Sequence, residues 1–294
     1  MNRITTFLLL MVFLFPFSAS AEDGYWEYTF RPGDSIWKIA EKYTTTVDNW
    51  YEIQKINSIR QGPDRKIRPG TRIVVPVSML KLQPVPALVV AVTGDVDVLR
   101  NNGEKVKAKV DMELYSGDQV ITKSKQRIRL RFADMSELQI RPESNVLLDK
   151  LSHHEQVGMV DTRIRLNSGG VNTWVEKQNP DSHYEITTPA AITAVRGTTF
   201  RLTTDSELIS RTEVTEGVVD VSAGNTEKAV NHGYGIVAEK DKPLQEPVKL
   251  LPPPAVSIEY IKETDMHIAS WLELEGAKHY HYQLSTDADF NMVV

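Results

Sequence analysis

Few side chains in this sequence are equipped for covalent chemistry. Its 294 residues hold no cysteine and seven histidines, which excludes thiol nucleophiles, thiolate metal sites and disulfides together. No serine sits in a G-x-S-x-G elbow, no H-E-x-x-H places two imidazoles one helical turn apart, and no glycine loop has phosphate-cradling spacing. Carboxylates are plentiful. Asp95/Asp97 and Glu213/Glu216 are neighbours in sequence only, whereas acid–base work on a glycan requires a defined separation in space. His279 and His281 share one face of an expected strand with no third ligand placed beside them, so an exposed polar face is the better reading than a metal site. The expectation is a protein that binds rather than catalyses, with no cofactor and no metal.

Recognition chemistry is easier to find. Arg127, Arg129 and Arg131 alternate with Ile128, Leu130 and Phe132, which puts three cations on one face of a strand. A solvated strand face is one reading of that pattern and contact with an acidic glycan or partner is the other. The whole chain does not share the basic bias. Its 34 Lys+Arg stand against 39 Asp+Glu for a net charge of −5, so no cationic surplus drives counterion release at a nucleic acid. At 41% hydrophobic and 25% charged residues the chain is neither disordered nor polytopic in a membrane. Its length suits about two folded domains.

Arg3 is the only charge before Glu22. Between them lie the apolar run 7–17 and then Ser18-Ala19-Ser20-Ala21. This is the n-region, h-region and A-x-A order of a secretory signal peptide over residues 1–21, cleaved after Ala21. The alternative is an uncleaved anchor over the uncharged stretch 4–21. Either way the remainder is expected to be exported to the periplasm or cell envelope, and after cleavage the membrane is met only transiently.

Residues 25–77 read as a small α+β unit. Tyr28-Thr29-Phe30 is β-prone and closes at the turn Arg31-Pro32-Gly33. Asp34 or Ser35 can cap the helix that follows, because a side-chain oxygen there accepts from an otherwise unpaired first-turn amide. Ile36, Ile39, Ala40 and Tyr43 then fall on one helical face. A second amphipathic segment begins at Asp48 with Val47, Trp50, Tyr51 and Ile53. The polar loop 57–66 leads to Ile67-Arg68-Pro69-Gly70 and a strand that Pro76 stops. The order is β-α-α-β.

Several spaced motifs in this unit occur in an order that closely resembles a LysM domain. They are Tyr28-Thr29, Gly33-Asp34-Ser35-Ile36-Trp37-Lys38-Ile39-Ala40, Thr46-Val47, Ile56-Asn57-Ser58-Ile59 and Ile67-x-Pro69-Gly70-Thr71-x-Ile73-x-Val75-Pro76. The resemblance implies binding of N-acetylglucosamine-containing glycans, peptidoglycan in bacteria. It implies a shallow groove in which Gly33, Asp34, Ser35 and Ile36 face Asn57, Ser58 and Ile59. Loop amides and carbonyls would meet acetamido groups, and Ile36 and Ile59 the apolar sugar face. Turn and cap chemistry alone would select the same residue types. The loop 60–66 is longer and more basic than is usual in the family. One shallow site is expected to be weak, on the order of −4 kcal/mol, so that retention depends on repeated sugars or on the rest of the chain.

After an expected linker, 78–86, the rhythm changes. Leu138/Ile140, Ile164/Leu166, Tyr184/Ile186, Phe200/Leu202 and Val219/Val221 alternate with polar residues, and Asn101-Asn102-Gly103 is a hairpin-type turn. Residues 87–240 therefore read as an all-β domain. They resemble a FecR domain through Gly94, Leu114-x-x-Gly117-Asp118-x-Val120-x-Thr122, Asp134-x-Ser136-x-Leu138-x-Ile140, Arg141-Pro142-x-Ser144 and Leu166-x-x-Gly169-Gly170. The most diagnostic matches are Thr188-Pro189-Ala190-Ala191, Val195-Arg196-Gly197-Thr198-x-Phe200 and Val214-x-Glu216-Gly217-x-Val219. The family takes its name from a membrane-spanning regulator. This chain resembles the exported portion alone, so an anti-sigma role does not carry over. Gly197 is expected to serve a special backbone conformation or close approach, and Arg196 to satisfy neighbouring carbonyls.

Pro243, Pro247 and Pro252-Pro253-Pro254 mark a stiff linker over 241–256. Within 257–294, Ile268-Ala269-Ser270-Trp271 and Tyr280-x-Tyr282-x-Leu284-Ser285-x-Asp287-x-Asp289-Phe290 resemble the opening strands of a fibronectin-III-like sandwich, in a stretch too short for a whole domain. The fold expected is thus multidomain: a β-α-α-β LysM unit, an all-β FecR-like domain and a partial sandwich. The function expected is an exported, non-catalytic envelope protein that holds peptidoglycan through Gly33–Ile36 and Asn57–Ile59 and presents a β domain to an envelope protein or saccharide. The alternatives are an envelope signal sensor and a LysM-targeted enzyme acting on peptidoglycan.

Overall fold

In the computed structural model of the chain, which describes residues 24–59, 67–154, 158–178, 182–262, 266–277 and 280, it is Ser35 that starts the first helix. Its backbone is extended and its Oγ accepts from the Lys38 amide at 3.3 Å, a cap that stabilises a helix by about 1 kcal/mol. Helix α1 (Ile36–Tyr43) buries Ile36, Ile39 and Ala40, the expected face. Thr44 ends it, with its hydroxyl donating to the Ala40 carbonyl at 2.8 Å. Helix α2 (Asn49–Ile56) buries only Ile53, and Tyr51 is 58% exposed, so its apolar face is narrower than the sequence pattern predicts. Strands β1 (Tyr25–Thr29) and β2 (Arg72–Pro76) pair antiparallel with Tyr28 opposite Ile73. Pro76 takes part in that pairing opposite Tyr25. The result is a small α+β unit whose core is Tyr28, Phe30, Ile36, Ile39, Ile53, Ile73, Val75 and Leu80.

The chain divides into two compact units after Leu80. The stretch 78–86, expected as a linker, is structured at both ends. A 3-10 turn covers Val77–Met79, Leu80 is buried and bridges to Thr44, and Gln83–Pro84 pairs within the second unit. The expected signal peptide, the loop 60–66, His279, His281 and residues 282–294 lie outside the described residues.

The second unit is mostly strand. Its first part contains β3 (Gln83–Pro84), β4 (Ala87–Thr93), β5 (Asp97–Leu99), β6 (Lys105–Lys107), β7 (Glu113–Leu114) and β8 (Gln119–Ile121). Next come β9 (Arg127–Arg131), β10 (Glu137–Ile140), β11 (Asn145–His154), β12 (Met159–Trp174), β13 (His183–Thr187) and β14 (Ile192–Val195). Then follow β15 (Thr199–Thr204), β16 (Ile209–Glu216), β17 (Val218–Ala223), β18 (Thr226–Asn231), β19 (Tyr234–Glu239) and β20 (Val248–Lys249).

These strands make two layers that share β12 and close around one core. One layer runs β18-β17-β14-β13-β12-β11-β8-β5-β6, with β3 against the distal half of β11. The other runs β20-β19-β16-β15-β12-β10-β9-β4-β7. All these pairings are antiparallel except β12 with β13. Every alternating apolar pair read from the sequence points into the core, from Ile128 and Leu130 to Val219 and Val221.

The chain repeatedly crosses between layers, and the glycines at 94, 169, 197 and 217 stand at those corners with positive φ. At Gly197 a Cβ would lie 3.0 Å from the Lys177 Cα, so the neighbouring backbone leaves room for hydrogen only. Residues 241–256, expected as an extended linker, begin packed on this domain. Leu244 joins its core and Val248–Lys249 adds a strand, because an apolar side chain among prolines still gains from burial. Strands β21 (Val256–Ile261) and β22 (Met266–Trp271) then form a separate hairpin. Among the described residues no helix is long and apolar enough to cross a membrane.

Candidate functional site

The seven residues named for the glycan groove occupy two loops anchored on the same two-stranded sheet. The first leaves β1 through Phe30, whose amide donates to the Thr71 carbonyl and whose carbonyl accepts from Gly70, both at 2.8 Å. Gly33 is exposed with φ +90°, and no atom stands within 4 Å of where its Cβ would be. Its carbonyl accepts from the Lys38 Nζ at 3.0 Å. The Asp34 carboxylate turns inward through Oδ2, accepting from the Tyr28 hydroxyl at 2.6 Å and the Arg31 amide at 2.7 Å. Burial first, and then this bond to Asp34, push the Tyr28 hydroxyl well above its ordinary ionisation range.

Ser35 is spent on the helix cap and Ile36 is 1% exposed in the core. The Ile36 side chain therefore does not offer the apolar contact expected of it. What the loop does offer is backbone. Gly33 is exposed, and Trp37 is partly exposed in the first turn of α1, whose amides have no partner within the helix.

The second loop is held by Asn57. Its Nδ2 donates to the carbonyls of Ile53 at 2.8 Å and Val74 at 2.7 Å, and its Oδ1 accepts from the Val74 amide at 2.7 Å. Asn57 thus ties the end of α2 to the middle of β2, and its side chain is fully engaged within the fold. Ser58 is exposed with φ +54°, and Ile59 is half-buried with its amide and carbonyl both bonded to Gln54. Both loops therefore present backbone and small side chains, while their larger side chains are tied up internally. Behind them Trp26, Tyr28 and Tyr43 form a ring cluster with centroids 5.1 to 5.7 Å apart, which locks β1 onto α1.

In the β domain the diagnostic motifs are architectural. The Thr188 Oγ1 accepts from the Ala191 amide at 3.0 Å and from the Ser210 hydroxyl at 2.7 Å, closing the Thr188–Ala191 turn. Thr198 donates to the Val218 carbonyl at 2.9 Å across the Gly197 and Gly217 corners. Asp118 accepts from the Arg100 Nη1 at 2.6 Å and from the Asn101 and Tyr115 amides. Arg196, by contrast, is exposed on the surface. Among the described residues no group of three or more His, Asp or Glu is arranged to hold a metal ion.

The comparisons with known proteins follow the same two units. Residues 28–76 match the LysM domain family and residues 118–220 match the FecR protein family. The chain thus carries a LysM domain followed by a FecR domain. Two crystal structures of a candidate anti-sigma factor from Parabacteroides distasonis ATCC 8503 share 11% and 10% identity with it, with TM-scores of 0.38 and 0.39. Each alignment covers 45% of this chain and 59% of the other. No curated protein matches the chain significantly.

Proposed function

We propose that this is an exported protein of the cell envelope that docks on peptidoglycan, or a related N-acetylglucosamine glycan, through its LysM domain. The observation that carries the reading is the LysM match over residues 28–76 on a β-α-α-β unit whose two loops expose backbone. Gly33 and Asp34 would form one wall of the groove, and Ser58 and Ile59 the other. Ser35, Ile36 and Asn57 act there by fixing the loops, as a cap, a core anchor and a strap. The sugar acetamido group would meet the exposed loop backbone at Gly33 and Ser58. The chemistry asked of the protein is recognition, and the role is a binding one.

Co-sedimentation of the full chain with purified peptidoglycan tests this. The chain is expected to pellet and to be released by soluble N-acetylglucosamine oligomers. If it stays in the supernatant at low salt, the anchoring role is wrong. The FecR match over residues 118–220 favours a second reading, in which the β domain senses an envelope partner. Loss of a transcriptional response on deletion of the β domain, with glycan binding intact, would bring that reading forward.

A further inference from the structure

The outer face of the β15-β12-β10-β9 sheet carries an arrangement that the fold does not require. Cross-strand register sets Arg131 beside Glu137 and Trp174, and Arg129 beside Gln139, Asn172 and Arg201. Arg141 follows Ile140 and returns to this outer face next to Arg127 and Gly170, with its amide donating to the Gly170 carbonyl at 2.9 Å. Most of these cations are neutralised. Glu137 holds Arg131 at 2.8 Å and Arg129 at 3.5 Å, Glu213 holds Arg201 at 3.8 Å, and Asp205 holds Arg211 at 2.8 Å.

Arg127 and Arg141 are different. Among the described residues no carboxylate lies within ion-pairing distance of either. Both are half-buried; Arg127 has Arg141 as its charged neighbour, and Arg141 feels Arg201 against it and the Glu213 carboxylate, beyond ion-pairing distance, in its favour. A half-buried cation without a close ion pair is costly to keep. Gly170 makes the arrangement possible, since a Cβ there would meet the Arg141 Cδ and Nη1 at 3.2 Å. The arginine side chain therefore lies over the Gly170 backbone.

The surroundings select among anions. Asn172 donates to Gln139 at 2.9 Å, which leaves further amide donors and acceptors in the middle of the face. Trp174 is 38% exposed and lies against the Arg129 guanidinium at 5.0 Å. It stands four residues along β12 from Gly170, about 13 Å away on the sheet. An indole, paired amides and two guanidinium groups outside any close ion pair, on one sheet face, match a sugar ring, its hydroxyls and its carboxylates respectively. We propose that this face of the FecR domain binds an acidic polysaccharide, with Arg127 and Arg141 taking carboxylates.

The inference rests on the reading of the β domain as a binding module and is independent of the LysM groove. The test uses the full chain and polygalacturonate, a carboxylated polymer that lacks N-acetylglucosamine, with neutral dextran and polyphosphate as comparisons. The wild-type chain is expected to bind polygalacturonate more weakly as salt rises, and not to bind dextran. The Arg127→Gln/Arg141→Gln variant should lose affinity about tenfold or more while keeping its affinity for N-acetylglucosamine oligomers, which reports on the LysM domain alone. Its melting temperature should stay the same or rise, because two half-buried cations outside any close ion pair have been removed. Equal binding by variant and wild type, absence of polygalacturonate binding, or binding to polyphosphate alone would each overturn the proposal. An Arg141→Lys variant, which keeps the charge and loses the fork, should bind at an intermediate level.

Discussion

Gly169 and Ser144 share one corner of the β domain, where a Cβ on the glycine would fall 2.3 Å from the serine Oγ. That oxygen accepts from the Gly170 amide at 2.9 Å, and its hydroxyl donates to the Gly170 carbonyl at 3.1 Å. The corner lies where β12 stops pairing with β11 and begins pairing with β10 and β15. One strand can serve both layers because its backbone turns at φ +88° against a side chain that replaces the lost ladder bonds.

Gly169→Ala is therefore expected to lower the stability of the β domain by about 3 kcal/mol or more, from backbone strain and the clash with Ser144 together. Ser144→Ala should cost less, about 1–2 kcal/mol, for the bonds to Gly170 that it removes. Urea unfolding followed by Trp174 and its neighbours checks both, and a Gly169→Ala protein as stable as wild type would refute this account of the corner.

Asn57 lies in the glycan loop but is expected to act on stability. Asn57→Ala should destabilise the LysM domain by about 2–3 kcal/mol, because the Val74 amide and carbonyl and the Ile53 carbonyl lose their partner at once. Ser58→Ala should leave stability nearly unchanged, with a small cost for the positive φ. Thermal melts alongside glycan titration separate the two roles. A destabilised Asn57→Ala protein that still binds below its melting temperature fits a positioning role.

Asp97 sets an acid-side dependence. The hydrogen bond from Lys107 at 2.5 Å, and then that from Lys105, hold its carboxyl down at about 2. An unfolded aspartate ionises near 3.9. The folded state thus favours the charged form, and the stability this contributes is complete above about pH 4 and lost as pH falls through about 2. Asp97→Asn should fall less steeply than wild type when melting temperature is followed from pH 5 to pH 2. Parallel slopes would remove Asp97 from the account.

Much of both folds was legible beforehand because the signals are local. The apolar face Ile36, Ile39 and Ala40 needs only the helical period, and the capping position needs only a short oxygen-bearing side chain. The alternation of Ile128 and Leu130 with arginines likewise orients a strand before its partners are known. The sites were less legible. Ile36, Asn57 and Ser35 look in sequence like candidates for a ligand, and the structure employs their side chains in the core, a strap and a cap. Asp34 presents the same type, and its Oδ2 is committed to Tyr28.

The three arginines on β9 show where local reading stops. The sequence determined that they share a face, since the two-residue repeat is intrinsic to an extended chain. It also determined the change from a β-α-α-β segment to an all-β one and the absence of thiol chemistry, each of which follows from residue type and spacing. The tertiary structure alone decided that Glu137 neutralises Arg129 and Arg131 while Arg127 is left with Arg141. It alone decided that β12 pairs parallel with β13 and belongs to two layers. Charge balance and layer membership depend on register between strands dozens of residues apart, as in the bond from Asn172 to Gln139 across 33 positions. That register is settled by which packing buries the whole core at once, a property of no single segment.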